Sequence, residues 1–255
     1  VGGAVGLAFY PAEAWYIFPL MVICGGLGGC LWAMIPAILK ARFNTNEILV
    51  SLLLVYVAEN ILAAMSLGLL RNPDGQGFPG SRNFKDFPAA HNDFLIPSAG
   101  VHWGVIFAVL AVAVAWFVMR YHVFGFRLRV LGQSPRAARF SGIIPGRIVL
   151  YTFAISGTLA GLAGLFEVTG PGGQITDSFN SGYGFTAIIV AFLGRLNPVG
   201  ILLGALLLGL TYIGGELAQL MLGLPSASIS AFQGMLLFFL LATDLFTNYR
   251  VKFRS

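Results

Sequence analysis

Charged residues are scarce in this chain. Of its 255 residues only 10% are Asp, Glu, Lys or Arg, whereas a soluble domain carries about 25%. The hydrophobic fraction is 57% and the mean hydropathy is +0.84, which argues against a soluble enzyme. The net charge of +5 is small, and on a membrane protein a basic surplus reports topology rather than nucleic-acid binding.

Residue patterns for catalysis and metal binding are also missing. Cys24 and Cys30 lie six positions apart and point to different sides of a helix, so we expect neither a disulfide nor a metal pair. The three histidines have no metal-like spacing. There is no phosphate-binding loop, nucleophile elbow or H-E-x-x-H sequence. We therefore expect no enzymatic activity, no ATPase site and no cofactor in this chain.

Long hydrophobic segments make up most of the sequence. About 20 apolar residues cross a bilayer, and such segments predict helices at residues 15–39, 47–70, 103–119, 148–166, 199–220 and 229–246. A shorter segment, 183–193, and the turn after it predict a hairpin over about 183–220 whose first arm crosses the membrane or re-enters it. Residues 71–100 form the predicted hydrophilic loop. The predicted fold is one all-α polytopic transmembrane domain over residues 1–255.

The basic residues predict the orientation of these helices. Twelve of the 15 Lys and Arg residues fall on one side and three on the other. The positive-inside rule places the side with twelve in the cytoplasm, so the loop at 71–100 is predicted to be external. The twelve are Lys40, Arg42, Arg120, Arg127, Arg129, Arg136, Arg139, Arg147, Arg195, Arg250, Lys252 and Arg254; the three are Arg71, Arg82 and Lys85.

The sequence contains a candidate inverted repeat. A shift of 136 residues superposes Gly25 on Gly161, Gly28 on Gly164, and residues 43–45 on residues 179–181. In each copy a Gly-rich helix precedes a polar turn and an apolar segment, and the charge distribution puts the two turns on opposite sides. Inverted repeats are typical of transport folds, with the substrate route at their interface.

A few polar and aromatic side chains lie within the apolar segments. Glu59 and Asn60 lie near the middle of their helix, where a charge is costly, so Glu59 is either a pathway residue or a buried structural carboxyl. Aromatic residues at the hairpin either stack on a ring-shaped solute or pack and anchor in lipid. With few ionisable groups inside, a neutral polar solute is favoured over an ion. The candidate pathway residues are Glu59, Asn60, Tyr183, Phe185, Thr186 and Asn197.

The basic connection at about 123–147 is predicted to contain a short cytoplasmic helix. Ser134 is a suitable N-cap, Pro135 a suitable first residue, and Gly142 a suitable stop. Ala137 and Ala138 are predicted to leave one flat face. By itself this pattern also suits a helix resting on anionic lipid.

The segment G-Q-S-P-R-A-A-R-F-S-G-I at 132–143 resembles the coupling loop of bacterial ABC importer permeases for nucleosides and simple sugars, a group related to the ribose permeases. Residues 39–51, 182–188, 193–198 and 214–216 resemble other stretches of that family, in the same order. The family carries further N-terminal helices, and residues 1–10 resemble the end of a hydrophobic helix. We therefore expect the chain to be the C-terminal part of a longer protein.

The resemblance implies a multi-pass subunit of the bacterial inner membrane, together with its partners. These are a second permease, identical or related, two cytoplasmic ATPases that use the ATP, and an extracytoplasmic solute-binding protein that docks on the external segment. It implies ATPase-coupling residues Gly132, Ser134, Pro135, Arg136, Ala137, Ala138, Ser141 and Gly142. The solute would be a nucleoside or a simple sugar, moved by alternating access. An ion-coupled transporter and a purely structural subunit are the alternatives.

Overall fold

The computed structural model describes residues 1–75, 80–92, 94–96, 101–176 and 182–223, with isolated residues from 225 to 243. Within these residues the regular structure consists of α-helices, two short 3-10 turns and one pair of short strands, joined by connecting segments. The α-helices are α1 (Gly2–Ala8), α2 (Ile17–Phe43), α3 (Glu47–Leu67), α4 (Trp103–Tyr121), α5 (Val123–Gln133), α6 (Pro135–Phe140), α7 (Pro145–Thr169), α8 (Tyr183–Leu193) and α9 (Pro198–Leu222).

Five of these helices, α2, α3, α4, α7 and α9, are long and apolar enough to cross a membrane. They confirm five of the predicted spans with boundaries that shift by up to four residues. The predicted span at 229–246 lies largely outside the described residues. The chain divides into two compact units, the first formed by residues 1–108 and 118–181 and the second by residues 109–117 and 182–255.

Helices α2 and α7 pack against each other in the first unit through glycines. A side chain at Gly29 would meet the backbone of Gly157 and Gly161, and one at Gly161 would meet the backbone of Gly25 and Gly29. A side chain at Gly157 would meet Ala33. Later residues of α2 contact earlier residues of α7, so the two helices are antiparallel. Small residues four apart on both helices let the backbones approach closely, as in membrane helix pairs.

The predicted external loop is folded over one end of this helix pair. Phe84 and Phe87, from the 3-10 turns Phe84–Asp86 and Pro88–Ala90, are buried in a cluster at the start of α2 and the end of α7. Backbone bonds join the segment to the chain after α7, from Phe84 N to Gly173 O (2.7 Å) and from Ser81 N to Ile175 O (2.9 Å). The remaining members of the cluster are Ile17, Met21, Ala90, Leu165, Val168 and Ile175.

Asn92 and His102 connect the folded external segment, residues 80–92, to the ends of α7 and α4. We call this segment the external cap. Asn92 is buried; its backbone N–H donates to Thr169 O (3.0 Å), and its side-chain Nδ2 lies 3.0 Å from His102 Nδ1. The same Nδ1 accepts from Gly104 N (3.1 Å) and so caps α4. Strands β1 (Phe94–Ile96) and β2 (Val101–His102) pair antiparallel and lead into that helix. Burial lowers the pKa of His102, opposed by the charge of Glu167.

Two tight connections lie at the ends assigned to the cytoplasm. Between α2 and α3, Asn44 is left-handed, Asn46 caps α3 through its side-chain oxygen, and Lys40 pairs with Glu47 at 2.8 Å. Between α4 and α5, the ring of His122 caps α5 by accepting from Phe124 N (3.1 Å). These caps allow α3 to begin shortly after α2 ends, and α5 to begin shortly after α4 ends.

In the second unit, α8 and α9 form the predicted hairpin. Arg195 and Leu196 adopt positive φ in the connecting turn, and Gly194 lies against the backbone of Gly200 and Ile201. The first arm has 11 residues, about 16 Å at 1.5 Å per residue, so the short arm predicted from the sequence is confirmed.

The inverted repeat stays a prediction. Helix α8 begins at residue 183, which is 136 residues after the start of α3 at residue 47, as the repeat requires. However, α2 ends at Phe43 and α7 at Thr169, a separation of 126 rather than 136. The matching turn at 179–181 lies outside the described residues.

Candidate functional site

Three aromatic and hydroxyl side chains meet on the inner faces of the hairpin. The rings of Tyr183 and Tyr212 lie 6.2 Å apart, edge to face, and the Tyr212 hydroxyl lies 3.2 Å from Thr186 Oγ1. Thr186 also donates to Gly182 O (3.3 Å). Tyr183 remains 51% exposed. This group of Tyr183, Thr186 and Tyr212 offers an open aromatic face beside two hydroxyls.

The other hairpin candidates lie apart from this group. Phe185 is exposed on α8. Asn197 lies at the opposite end of that helix, where its side-chain oxygen accepts from Val199 N (3.1 Å) and caps α9. The Asn197 side chain therefore contributes to the turn that precedes Pro198.

Glu59 and Asn60 lie near the middle of α3, as predicted. The Asn60 amide donates to Tyr56 O at 2.7 Å within the same helix, and the residue is exposed. Glu59 is half-buried. These two residues belong to the first compact unit and the hairpin candidates to the second.

The predicted cytoplasmic helix is present as α6. Ser134 caps it, with Oγ accepting from Ala137 N at 3.3 Å, Pro135 is its first residue, and Gly142 follows it with φ of +75°. Ser141 Oγ donates back to Ala137 O (3.0 Å). The start, stop and length of the helix were therefore predictable from the sequence.

The sequence predicted that Ala137 and Ala138 would together leave one flat face on this helix, but only Ala137 is exposed. Ala138 is 0% exposed because it packs inside the chain itself. Its neighbour Ala137 is exposed, as are Gly132, Arg136 and Phe140. Every residue of α6 except Ala138 is therefore exposed, and Ala138 packs against the rest of the chain; the exposed residues are Pro135, Arg136, Ala137, Arg139 and Phe140.

Sequence reasoning missed Tyr212 as a site residue. Its signal was a tyrosine next to Thr211 inside the apolar helix α9, where a phenolic hydroxyl needs a partner. Which residue it faces depends on the register of α8 against α9, and only the structure supplies that register.

Five long apolar helices and an apolar hairpin are the features of a multi-pass integral membrane protein. The family described as "Branched-chain amino acid transport system / permease component" matches residues 1–241. The chain belongs to this family of ABC permeases, which are transport subunits rather than enzymes, and it lies in the cell membrane.

Curated relatives are similar over nearly the whole chain. The glucose ABC transporter permease of Haloferax volcanii is 34% identical, covering 94% of this chain and 65% of the relative. The guanosine ABC transporter permease of Bacillus subtilis is 30% identical, covering 98% and 70%. A nucleoside ABC transporter permease of Lactococcus lactis is 27% identical, covering 92% and 66%. The chain thus spans about two thirds of these proteins' length. No solved structure matches.

The relatives named above are permease components of sugar and nucleoside ABC transporters. The match confirms the family predicted from the coupling-loop segment and from the stretches that accompany it.

Proposed function

We propose that this chain is the membrane-spanning subunit of an ATP-driven importer for nucleosides. The observation that carries the proposal is the group of Tyr183, Thr186 and Tyr212. An exposed aromatic ring is a stacking surface for a base, and the paired hydroxyls of Thr186 and Tyr212 can exchange hydrogen bonds with a ribose. The guanosine and nucleoside permeases among the relatives support this solute class.

A simple sugar is the second candidate solute. The glucose permease of Haloferax volcanii is 34% identical to this chain, and a sugar would use the hydroxyls without needing the aromatic face. In both cases Glu59, Asn60, Phe185 and Asn197 are the further pathway candidates. Glu59 would accept hydrogen bonds as the solute passes the middle of α3.

The proposed mechanism is alternating access driven by partner subunits. Two cytoplasmic ATPases would receive α6 in a cleft, contacting Gly132, Ser134, Pro135, Arg136, Ala137, Ser141 and Gly142, with Ala138 holding α6 onto the rest of the chain. Their closure on ATP would move α6, and the helices attached to it would tilt. A second permease, identical or related, would complete the pathway. A solute-binding protein would dock on the external cap, and this chain would need no cofactor of its own.

Competition for uptake tests the solute class. Sealed vesicles containing the assembled importer would be given labelled guanosine with a 100-fold excess of unlabelled nucleoside or glucose. The proposal expects guanosine uptake that nucleosides inhibit and glucose does not. No guanosine uptake, together with uptake of labelled glucose by the same vesicles, would favour the sugar importer. Tyr183→Leu should reduce nucleoside uptake, whereas Tyr151→Leu, an exposed tyrosine on α7, is the matched control. Equal uptake in the two variants would remove Tyr183 from the pathway.

A further inference from the structure

Between α4 and α7 the chain carries positive charge only. Residues 94–166 contain no Asp, Glu or Lys, yet 120–147 contains six arginines, and all six are exposed. Neither Arg127 nor Arg129 forms an ion pair within the described part of the chain. Two exposed arginines without an ion-pair partner in the described part of the chain favour an anionic surface as their binding partner. The six are Arg120, Arg127, Arg129, Arg136, Arg139 and Arg147.

Helix α5 lies at the end of a membrane-spanning helix. Gly125, in its first turn, is buried against the backbone of Val118 and Met119 in the last turn of α4, with no room for a side chain. Helix α4 has no buried residue, as expected for a helix that faces lipid. Because α5 begins beside the last turn of α4, it begins at the level of the cytoplasmic membrane surface.

The exposed face of α5 is apolar in the middle and basic at both edges. Val123 and Phe126 are 58% and 59% exposed and, with half-buried Val130, follow helical spacing i, i+3, i+7. At 100° per residue, Arg127 and Arg129 fall on opposite sides of this strip. A helix of this pattern lies in the membrane interface, with its apolar strip among acyl chains and its arginines reaching the headgroups.

We propose that α5 binds anionic phospholipid headgroups of the cytoplasmic leaflet through Arg127 and Arg129, with Phe126 inserted between the acyl chains. The guanidinium groups match phosphate oxygens in shape and charge. This role goes beyond the proposed transport function, because it concerns α5 rather than α6 and does not depend on the solute or the ATPase. Arg120, in the last turn of α4, extends the basic edge.

Fluorescence quenching by brominated lipid tests the proposal on the full chain. The four tryptophans would be replaced by Phe and Phe126→Trp added, so that this one probe reports on α5. The chain would be reconstituted in phosphatidylcholine vesicles containing brominated phosphatidylcholine or brominated phosphatidylglycerol. We expect quenching by both lipids, with phosphatidylglycerol favoured about 25-fold, since each of the two arginines contributes about fivefold near an anionic surface.

Charge variants decide whether the two arginines cause the preference. Arg127→Gln with Arg129→Gln should bring the preference to within about twofold of unity, and Arg127→Lys with Arg129→Lys should retain it. Arg136→Gln with Arg139→Gln, which removes the same charge from α6, is the matched control and should leave it unchanged.

Three results would overturn the proposal. A probe that neither lipid quenches would show that α5 is not in the interface and that its apolar strip covers a protein partner instead. Quenching without lipid preference would show that the anionic headgroup is not the ligand. Equal losses in the α5 and α6 pairs would assign the preference to overall charge.

Discussion

Replacing Gly29 with alanine is expected to force α2 and α7 apart. A Cβ at Gly29 would lie 2.8 Å from both Cα and N of Gly161 and still closer to the carbonyl oxygen of Gly157. Carbon atoms in contact prefer about 3.5–4.0 Å. All three neighbours are backbone atoms, so the strain cannot be relieved by turning a side chain. Overpacking of this kind costs about 1–3 kcal/mol.

Gly164→Ala on α7 is the matched control, because nothing lies within 4 Å of a Cβ at that position. Both substitutions gain the same helix propensity, about 0.5–1 kcal/mol, so the difference between the two variants isolates the packing term. Unfolding in mixed micelles with increasing dodecyl sulfate, followed by circular dichroism, measures both. We expect Gly29→Ala to be about 1–3 kcal/mol less stable than Gly164→Ala. Equal stability would refute the close glycine contact.

Three further predictions concern pH, coupling and the solute site. Because burial lowers the pKa of His102, the unfolded chain binds the proton more readily, so the stability of the fold should fall as pH drops below about 6.5. Thermal melting should show this fall in the wild type and a smaller one in His102→Asn, with His122→Asn as the control for loss of a histidine cap. A wild type that is equally stable at pH 5 and pH 7 would contradict this prediction. Ala137→Arg should abolish solute-stimulated ATPase activity while leaving the subunit inserted in the membrane, whereas Gln133→Arg should leave the stimulation intact. Stimulation that persists in Ala137→Arg would show that α6 is not the coupling element. Tyr212→Phe, which loses the hydroxyl contact to Thr186 at 3.2 Å, should raise the KM for uptake several-fold, since a neutral hydrogen bond contributes about 1 kcal/mol, and an unchanged KM would remove that hydroxyl from the site.

Local signals predicted much of this fold. The apolar lengths gave the membrane helices, and Ser134, Pro135 and Gly142 gave the bounds of α6, because capping depends on residues within one turn. The ends of α2 and α7 were predicted at residues 39 and 166, before the observed ends at Phe43 and Thr169. A helix continues through polar residues until a cap or a glycine ends it.

The features that the sequence did not predict depend on contacts between distant segments. The burial of Ala138 follows from how α6 packs, and the partnership of Thr186 with Tyr212 follows from the register of α8 and α9. The external segment was predicted only as a hydrophilic loop, because its composition is polar. Three of its apolar residues, Phe84, Phe87 and Ala90, nonetheless pack onto α2 and α7.

The central claim, that this chain moves its solute only when partner ATPases use ATP, is tested by uptake into sealed vesicles. The vesicles would hold this chain with its partner permease and ATPases, and the solute-binding protein would be supplied outside. The account predicts uptake that requires ATP inside the vesicle, stops with a hydrolysis-deficient ATPase, and is indifferent to proton and sodium ionophores. Uptake that persists without ATP or the ATPase and collapses with an ionophore would contradict it.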